Sequence, residues 1–215
     1  MLEIVAGQYL SVTPYGAHYA VSGSAPDPFR DLLFRLMAHT SSPLLTEPAA
    51  CAWCATDDPQ KALDSLLRVQ SMAMVQGTPT PCDAALGPLE KVLPQLLPAV
   101  SDKGQALLAD AQGFYLAVAG FRHETAEELA ALSADVATLH ARHARLLGNN
   151  LGIGDASWGV IDSGGSSQFG IWPLHVAGQR FALVIAGRPR LHQPDFARLV
   201  WALQLRYGVA RPDGA

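Results

Sequence analysis

The sequence predicts an α+β chain, and three observations carry that prediction. The run QALLADAQGFYLAVAGF from Gln105 to Phe121 reads as one β-hairpin. An alanine-rich segment from about Glu124 to Leu147 follows at once, with apolar residues at helical spacing. Beyond it come three apolar runs, separated by glycine-containing turns, and a last helix opening at Pro194 and Asp195. From residue 86 onward the predicted order is helix, two strands, helix, three strands, helix.

The elements before residue 86 are shorter. Leu2–Val12 and Ala17–Ser22 alternate enough to predict two strands, joined by Thr13-Pro14-Tyr15-Gly16 as a turn. Asp27 is placed to cap a helix with Pro28 at its first position, and Phe29, Leu32, Leu33, Leu36 and Met37 follow at helical spacing. Thr46 before Glu47-Pro48 opens a second helix running through Trp53. Asp57 or Asp58 before Pro59 opens a third, with Ala62, Leu63, Leu66, Leu67 and Val69 inward. Met72–Val75 reads as a short strand. Three helices with a trailing strand resemble a winged helix.

Gly77-Thr78-Pro79-Thr80-Pro81 is a turn-rich link whose prolines break a continuing element. Charge also changes there. Residues 1–83 hold four basic and eight acidic residues, whereas residues 84–215 are balanced. Both features predict an N-terminal segment 1–83 and a second domain 84–215.

In that second domain, Leu89, Val92, Leu93, Leu96 and Leu97 predict a helix over Leu86–Pro98, which Pro94 would kink or end early. Ala106–Ala109 and Phe114–Ala119 are the hairpin strands. Asp110-Ala111-Gln112-Gly113 is their turn, with Gly113 free to adopt positive φ. Gly148, Gly152 and Gly154, with Asn149 and Asn150, end the long helix in a loop. The remaining strands are Trp158–Asp162, Gln168–Val176 and Arg180–Ala186. The last of these is apolar on both faces and therefore central.

This order resembles the roadblock family of dynein-light-chain type, related to longin and profilin-like folds. The residues carrying the resemblance are ALLADAQGFYLAVAG, EELAALSADVATLHARHARLL and RFALVIAG, within about residues 86–208. The resemblance implies a five-stranded antiparallel sheet with helices on its faces. It also implies homodimers or heterodimers, often in complexes that hold or regulate small Ras-like GTPases, and no shared catalytic motif. The winged-helix-like segment is not part of the basic module.

Composition narrows the function classes. The chain has 215 residues, is 49% hydrophobic and 16% charged, and carries a formal net charge of -4. Such a chain can bury a core, and a strongly basic nucleic-acid or membrane-surface protein would differ. No apolar run is long enough for a bilayer, and the start MLEIVAGQYL lacks a basic region before an apolar one. With three cysteines and no disulfide framework, the expected compartment is the cytoplasm. The third helix carries Lys61 and Arg68 but also Asp57, Asp58 and Asp64. DNA phosphates would be repelled there.

The helix 124–147 supplies the candidate contact residues. Ala126, Ala130, Ala134, Ala137, Ala141 and Ala144 form one stripe at helical spacing, with Ser133 beside it. Leu129, Leu132, Val136, Leu139 and Leu146 form a second stripe. The large stripe is expected to pack on the sheet, and the alanine stripe to admit a partner helix closely. Trp158 and Val160, on a pairable sheet edge, complete the expected dimer surface. Asn149, Asn150 and Ile153, in the glycine-containing loop, are the expected partner-binding residues.

Other chemistry finds little support. Cys51-Ala-Trp-Cys54 lacks the strand-then-helix start of a thioredoxin-like redox site. A zinc site would need Cys82 and His39, which have no paired spacing. His140 and His143 are spaced for a metal but lack an accompanying carboxylate motif, and read as surface or interface histidines. Neither a G-x-x-x-x-G-K-[ST] loop nor a G-x-G-x-x-G fingerprint is present, and no G-x-S-x-G elbow. The Asp162-Ser-Gly-Gly-Ser-Ser run reads as a hairpin turn. No catalytic, cofactor or metal residue is expected.

The sequence therefore predicts a non-enzymatic regulator or scaffold that forms a homodimer and binds a partner, a small Ras-like GTPase being the one the resemblance implies. Two alternatives belong to other classes. One is a transcription regulator reading DNA through residues 29–76. The other is a ligand sensor with a closed apolar pocket beside the sheet.

Overall fold

A computed structural model describes residues 7–153 and 157–208. The strands are β1 (Tyr9–Val12), β2 (Val75–Thr78), β3 (Ala106–Ala109), β4 (Tyr115–Ala119), β5 (Trp158–Ile161), β6 (Ser167–Val176) and β7 (Gln179–Ala186). The helices are α1 (Pro14–Val21), α2 (Pro28–Leu36), α3 (Glu47–Cys54), α4 (Pro59–Ser71), α5 (Leu89–Leu96), α6 (His123–Arg142) and α7 (Pro194–Tyr207).

Local capping chemistry starts most of the N-terminal helices. Asp27 accepts from the Arg30 amide at 2.9 Å, Thr46 from Ala49 at 3.3 Å, and Asp58 from Gln60 at 3.0 Å. Each cap is followed by a proline in the first helical turn, where the missing N–H is not needed. The same chemistry corrects the expectation for residues 13–22. Thr13 accepts from the Gly16 amide at 3.0 Å, Pro14 opens the helix, and the predicted turn and strand become α1. Ala17, Ala20 and Val21, which looked strand-like, are the buried side of this helix. Gly16 is required there, because a Cβ would collide with the Met74 carbonyl.

The described part of the N-terminal segment thus holds four helices rather than three, with a two-stranded antiparallel ribbon of β1 and β2. Of the strand expected over Leu2–Val12, residues 1–6 lie outside the described residues, and only Tyr9–Val12 forms the strand. The strand expected at Met72–Val75 instead runs from Val75 into the predicted link, because Gly77 and Thr78 pair with Leu10 and Tyr9.

The main sheet has five strands in the order β4-β3-β7-β6-β5, every neighbour antiparallel. The hairpin turn is as expected. Gly113 has φ 89°, and Asp110 Oδ1 accepts from the amides of Gln112 and Phe114, each at 2.9 Å. Strand β7 is central, with Phe181 to Ala186 all buried. On one face of the sheet, Leu108, Leu174, Phe181, Leu183 and Ile185 join a core that includes α1, α5 and α7. On the other, Leu107, Ala109, Ile171, Ala182 and Val184 pack under α6. Helix α5 is shorter than the predicted Leu86–Pro98. It begins at Leu89, carries Pro94 within it, and passes at Leu97–Val100 into a tighter 3-10 turn.

One buried cluster runs through both sides of residue 83. Val21, Leu33 and Leu66 belong to it together with Leu93, Phe196 and Leu203. Trp201 Nε1 donates to the His39 carbonyl at 2.8 Å across the same junction. His18 on α1 is exposed overall but lies 6.2 Å from the Phe196 ring on α7, and partial desolvation there lowers its imidazole from the ordinary value of 6.5. The charged form is disfavoured in the fold. Stability is therefore full above the unfolded-state value and falls as pH drops from 6.5 through the lower folded-state value. His18→Leu should flatten this part of the profile. Urea melts of both proteins between pH 7.5 and 5 test it, and parallel profiles would refute the assignment.

Candidate protein-interaction surface

Helix α6 connects the hairpin to the sheet edge, and its start is fixed to β4. The Tyr115 hydroxyl and His123 Nδ1 lie 2.7 Å apart, and His123 Nε2 lies 3.5 Å from Glu127 Oε1. Glu124 sits in the first turn and Arg142 in the last, each matching the adjacent end of the helix dipole.

Helix α6 departs from the sequence expectation in part. Ala126, Ala130 and Ser133 are buried against the sheet within one copy of the chain, and Ser133 Oγ donates to the Ala130 carbonyl at 2.7 Å. They cannot meet a partner helix. Their small size lets α6 lie close to Leu107, Ile171 and Val184, which supply the bulk from the strand side. The hairpin turn presses on the same helix, since a Cβ on Gly113 would stand 3.2 Å from Ala134 Cβ. Ala134 and Ala137 are half-buried. Ala141 and Ala144 are exposed, as α6 and its continuation extend toward the sheet edge. From the larger stripe, Leu129 and Val136 flank the inner core, but Leu132, Leu139 and Leu146 face outward with 39%, 41% and 49% exposure.

After Arg142 the chain does not end in a simple loop. Arg145–Asn150 forms a wide turn, with the Leu151 amide donating to the Leu146 carbonyl at 3.1 Å. Asn149, Asn150 and Ile153 are exposed in and after this turn. Gly154, also expected there, lies outside the described residues. The end of α6 is tied to the sheet edge by Trp158, whose Nε1 donates to His140 Nδ1 at 3.0 Å, the rings standing edge to face at 6.1 Å. Trp158 is half-buried by this contact. Val160, two residues along the same face of β5, is exposed, as is Ile161 at 66%. Strand β5 is the last in the sheet, so its outer hydrogen-bonding side has no partner strand among the described residues.

Leu132, Leu139, Leu146, Leu151, Ile153, Val160 and Ile161 thus line consecutive elements that one tryptophan–histidine contact joins. The signal for the outward leucines was present in the sequence as their seven-residue spacing, but helix periodicity alone does not say which side meets the sheet.

The cysteines and the Asp162 run weighed in the sequence make local contacts. Cys51 and Cys54 are half-buried on α3, and Cys54 Sγ lies 3.5 Å from the Ala62 carbonyl. Burial pushes the Cys54 thiol up, with Arg35 acting weakly the other way. Among the described residues no three of His, Cys, Asp and Glu are grouped to hold a metal ion, and no helix is long and apolar enough to cross a membrane. Asp162 Oδ1 accepts from the Gly164 and Ser166 amides, each at 2.9 Å, which is hairpin-turn chemistry. Two open grooves flank the start of α5, one lined by Leu89, Leu116 and Tyr207, the other by Leu86, Lys91 and Arg198. On α4, Lys61 is paired with Asp58 at 3.5 Å.

No family model matches the chain, and no curated protein matches it. Among solved structures, the crystal structure of a Roadblock/LC7 domain from Streptomyces avermitilis is similar over 57% of this chain and 93% of its own, at 22% identity and a TM-score of 0.33.

The inward placement of the small residues has a direct consequence. Ala130→Leu should overpack the helix–sheet contact and cost about 1–3 kcal/mol of folding stability. Chemical denaturation of the variant measures this, and an unchanged stability would contradict the packing described.

Proposed function

We propose that the chain is a non-enzymatic interaction module of roadblock type, which self-associates and presents a composite surface to a regulatory partner protein. The observation that carries this reading is the outward apolar surface of α6, the following turn and β5. Large leucines, isoleucines and valines stay exposed there, whereas the central strand β7 is buried on both faces. Surfaces of this kind mark contact sites in soluble chains. A second copy is the simplest occupant, since a helix face beside an unpaired strand edge is self-complementary under a two-fold axis. Trp158 and Val160 remain in the proposed dimer surface, with Leu132, Leu139 and Leu146 replacing the buried alanines.

The resemblance in sequence order supports a small Ras-like GTPase as partner, with Asn149, Asn150 and Ile153 as adjustable contacts. Binding would hold a switch segment of the partner in one conformation and so shift its populations. The winged-helix-like reading of residues 1–83 fits here as a further protein-contact element.

Sedimentation at micromolar concentration should give a dimer mass for the intact chain, and Leu139→Glu should raise the dimer dissociation constant at least tenfold while leaving the helical signal intact. A monomer mass for the unaltered protein would overturn the self-association.

The partner is tested separately. A small Ras-like GTPase, loaded with GTP or GDP, should be retained by the immobilised dimer in at least one state. The chain alone should neither retain nor hydrolyse GTP. Absence of binding in both states, with the dimer intact, would remove the GTPase from the proposal.

A further inference from the structure

We propose that the basic run at residues 187–192, together with Lys103, is a docking surface for an acidic, extended segment of a partner polypeptide. It uses neither α6 nor β5, so it goes beyond the self-association proposed above and does not depend on it.

The sequence concentrates positive charge here. No aspartate or glutamate occurs between Asp162 and Asp195, a stretch that carries Arg180, Arg188 and Arg190. The chain as a whole has a formal net charge of -4, so this excess is local. The fold then adds Lys103. A Cβ on Gly187 would stand 3.0 Å from Lys103 Cγ and 3.1 Å from its Cδ, which places the lysine stem across the start of the run. Lys103, Arg188 and Arg190 are all exposed, and among the described residues none of their side chains has an ion-pair or hydrogen-bond partner. Two other arginines of this half are paired: Arg122 lies 3.9 Å from Glu124, and Arg198 lies 3.3 Å from Asp195. The carboxylates that the turns bring to this end are also engaged. Asp102 accepts from the Arg188 backbone N–H at 2.8 Å, and Asp162 from the Gly164 and Ser166 amides and the Gln168 side chain.

The backbone under the two arginines is held on both flanks. The Asp102 amide donates to the Arg188 carbonyl at 3.2 Å, the Arg190 amide to the Val100 carbonyl at 2.8 Å, and Ser167 Oγ to the Gly187 carbonyl at 2.7 Å. Pro189 fixes its own φ and restricts Arg188 to extended backbone. Arginines two residues apart on such a segment match carboxylates two residues apart on an extended ligand, where every second side chain shares a face. A guanidinium fork binds a carboxylate through two parallel hydrogen bonds, and a backbone already ordered lowers the cost of forming them.

The scale of the patch selects the occupant. Nucleic-acid binding draws on many phosphate contacts, and charge-driven membrane attachment on clusters of about 4–8 basic residues. Three cations fit a short run of glutamates or aspartates.

Fluorescence polarisation of the full chain with a labelled peptide of alternating glutamate and serine tests this. The expected result is binding that weakens as salt rises, with none to the matching glutamine peptide. Arg188→Glu combined with Arg190→Glu should weaken the binding at least tenfold and give binding to a lysine–serine peptide instead. The thermal midpoint should stay unchanged, because both side chains are exposed. Arg206→Glu, at an exposed position on α7, should leave the affinity as it is. No binding of the glutamate peptide to the unaltered chain, no loss in the double variant, or an equal loss with Arg206→Glu would each overturn the assignment. Tighter binding of random duplex DNA or of phosphatidylserine vesicles than of the peptide would overturn the polypeptide as occupant.

Discussion

Burial of β7 on both faces is the constraint from which the rest of the second half follows. Phe181, Leu183 and Ile185 point to the side of α1, α5 and α7, while Ala182 and Val184 point to α6. A strand covered on both sides can satisfy its backbone only within a sheet, so β3 and β6 must flank it and β4 and β5 become the edges. The two faces are unequal. The first needs several helices to cover large residues. The second is served by one helix, and that helix carries alanine and serine where it meets the strands. Because one side of α6 is consumed in this way, its opposite side is necessarily presented to solvent.

The same packing explains the role of the N-terminal segment. Helix α1 lies against α7, and Trp201 reaches the His39 carbonyl, so the first residues complete the cover of the sheet's larger face. Gly16 permits the close approach of α1 to the end of the α4–β2 connection, where Thr13 also donates its hydroxyl to the Ala73 carbonyl at 2.6 Å.

What could be read from the sequence was the part that local chemistry decides. Asp27, Thr46 and Asp58 are side-chain caps whose geometry needs only a few neighbouring residues. Asp110 and Gly113 specify their hairpin in the same way, and an apolar run such as FALVIA marks a strand buried on both faces. Residues 13–22 look strand-like in sequence because a short helix with Ala17 and Ala20 has little pattern to separate it from a strand, although Thr13-Pro14 is a helix start. The side of α6 was misread for a different reason. Size alone suggests that leucines seek the core and alanines a partner. The space above β3, β6 and β7 is instead already filled by Leu107, Ile171 and Val184, so the helix must contribute small groups. That decision is made by the sheet, which helix periodicity cannot see.

The candidate surface inherits this division of labour. Leu132, Leu139 and Leu146 supply apolar area, and fully burying a leucine is worth about 1.5–3 kcal/mol. Trp158 extends the argument to the sheet. By holding the end of α6 against β5 through His140, it fixes the helix seam relative to the open strand edge. A partner that selects the seam therefore meets Val160 and Ile161 at a set distance.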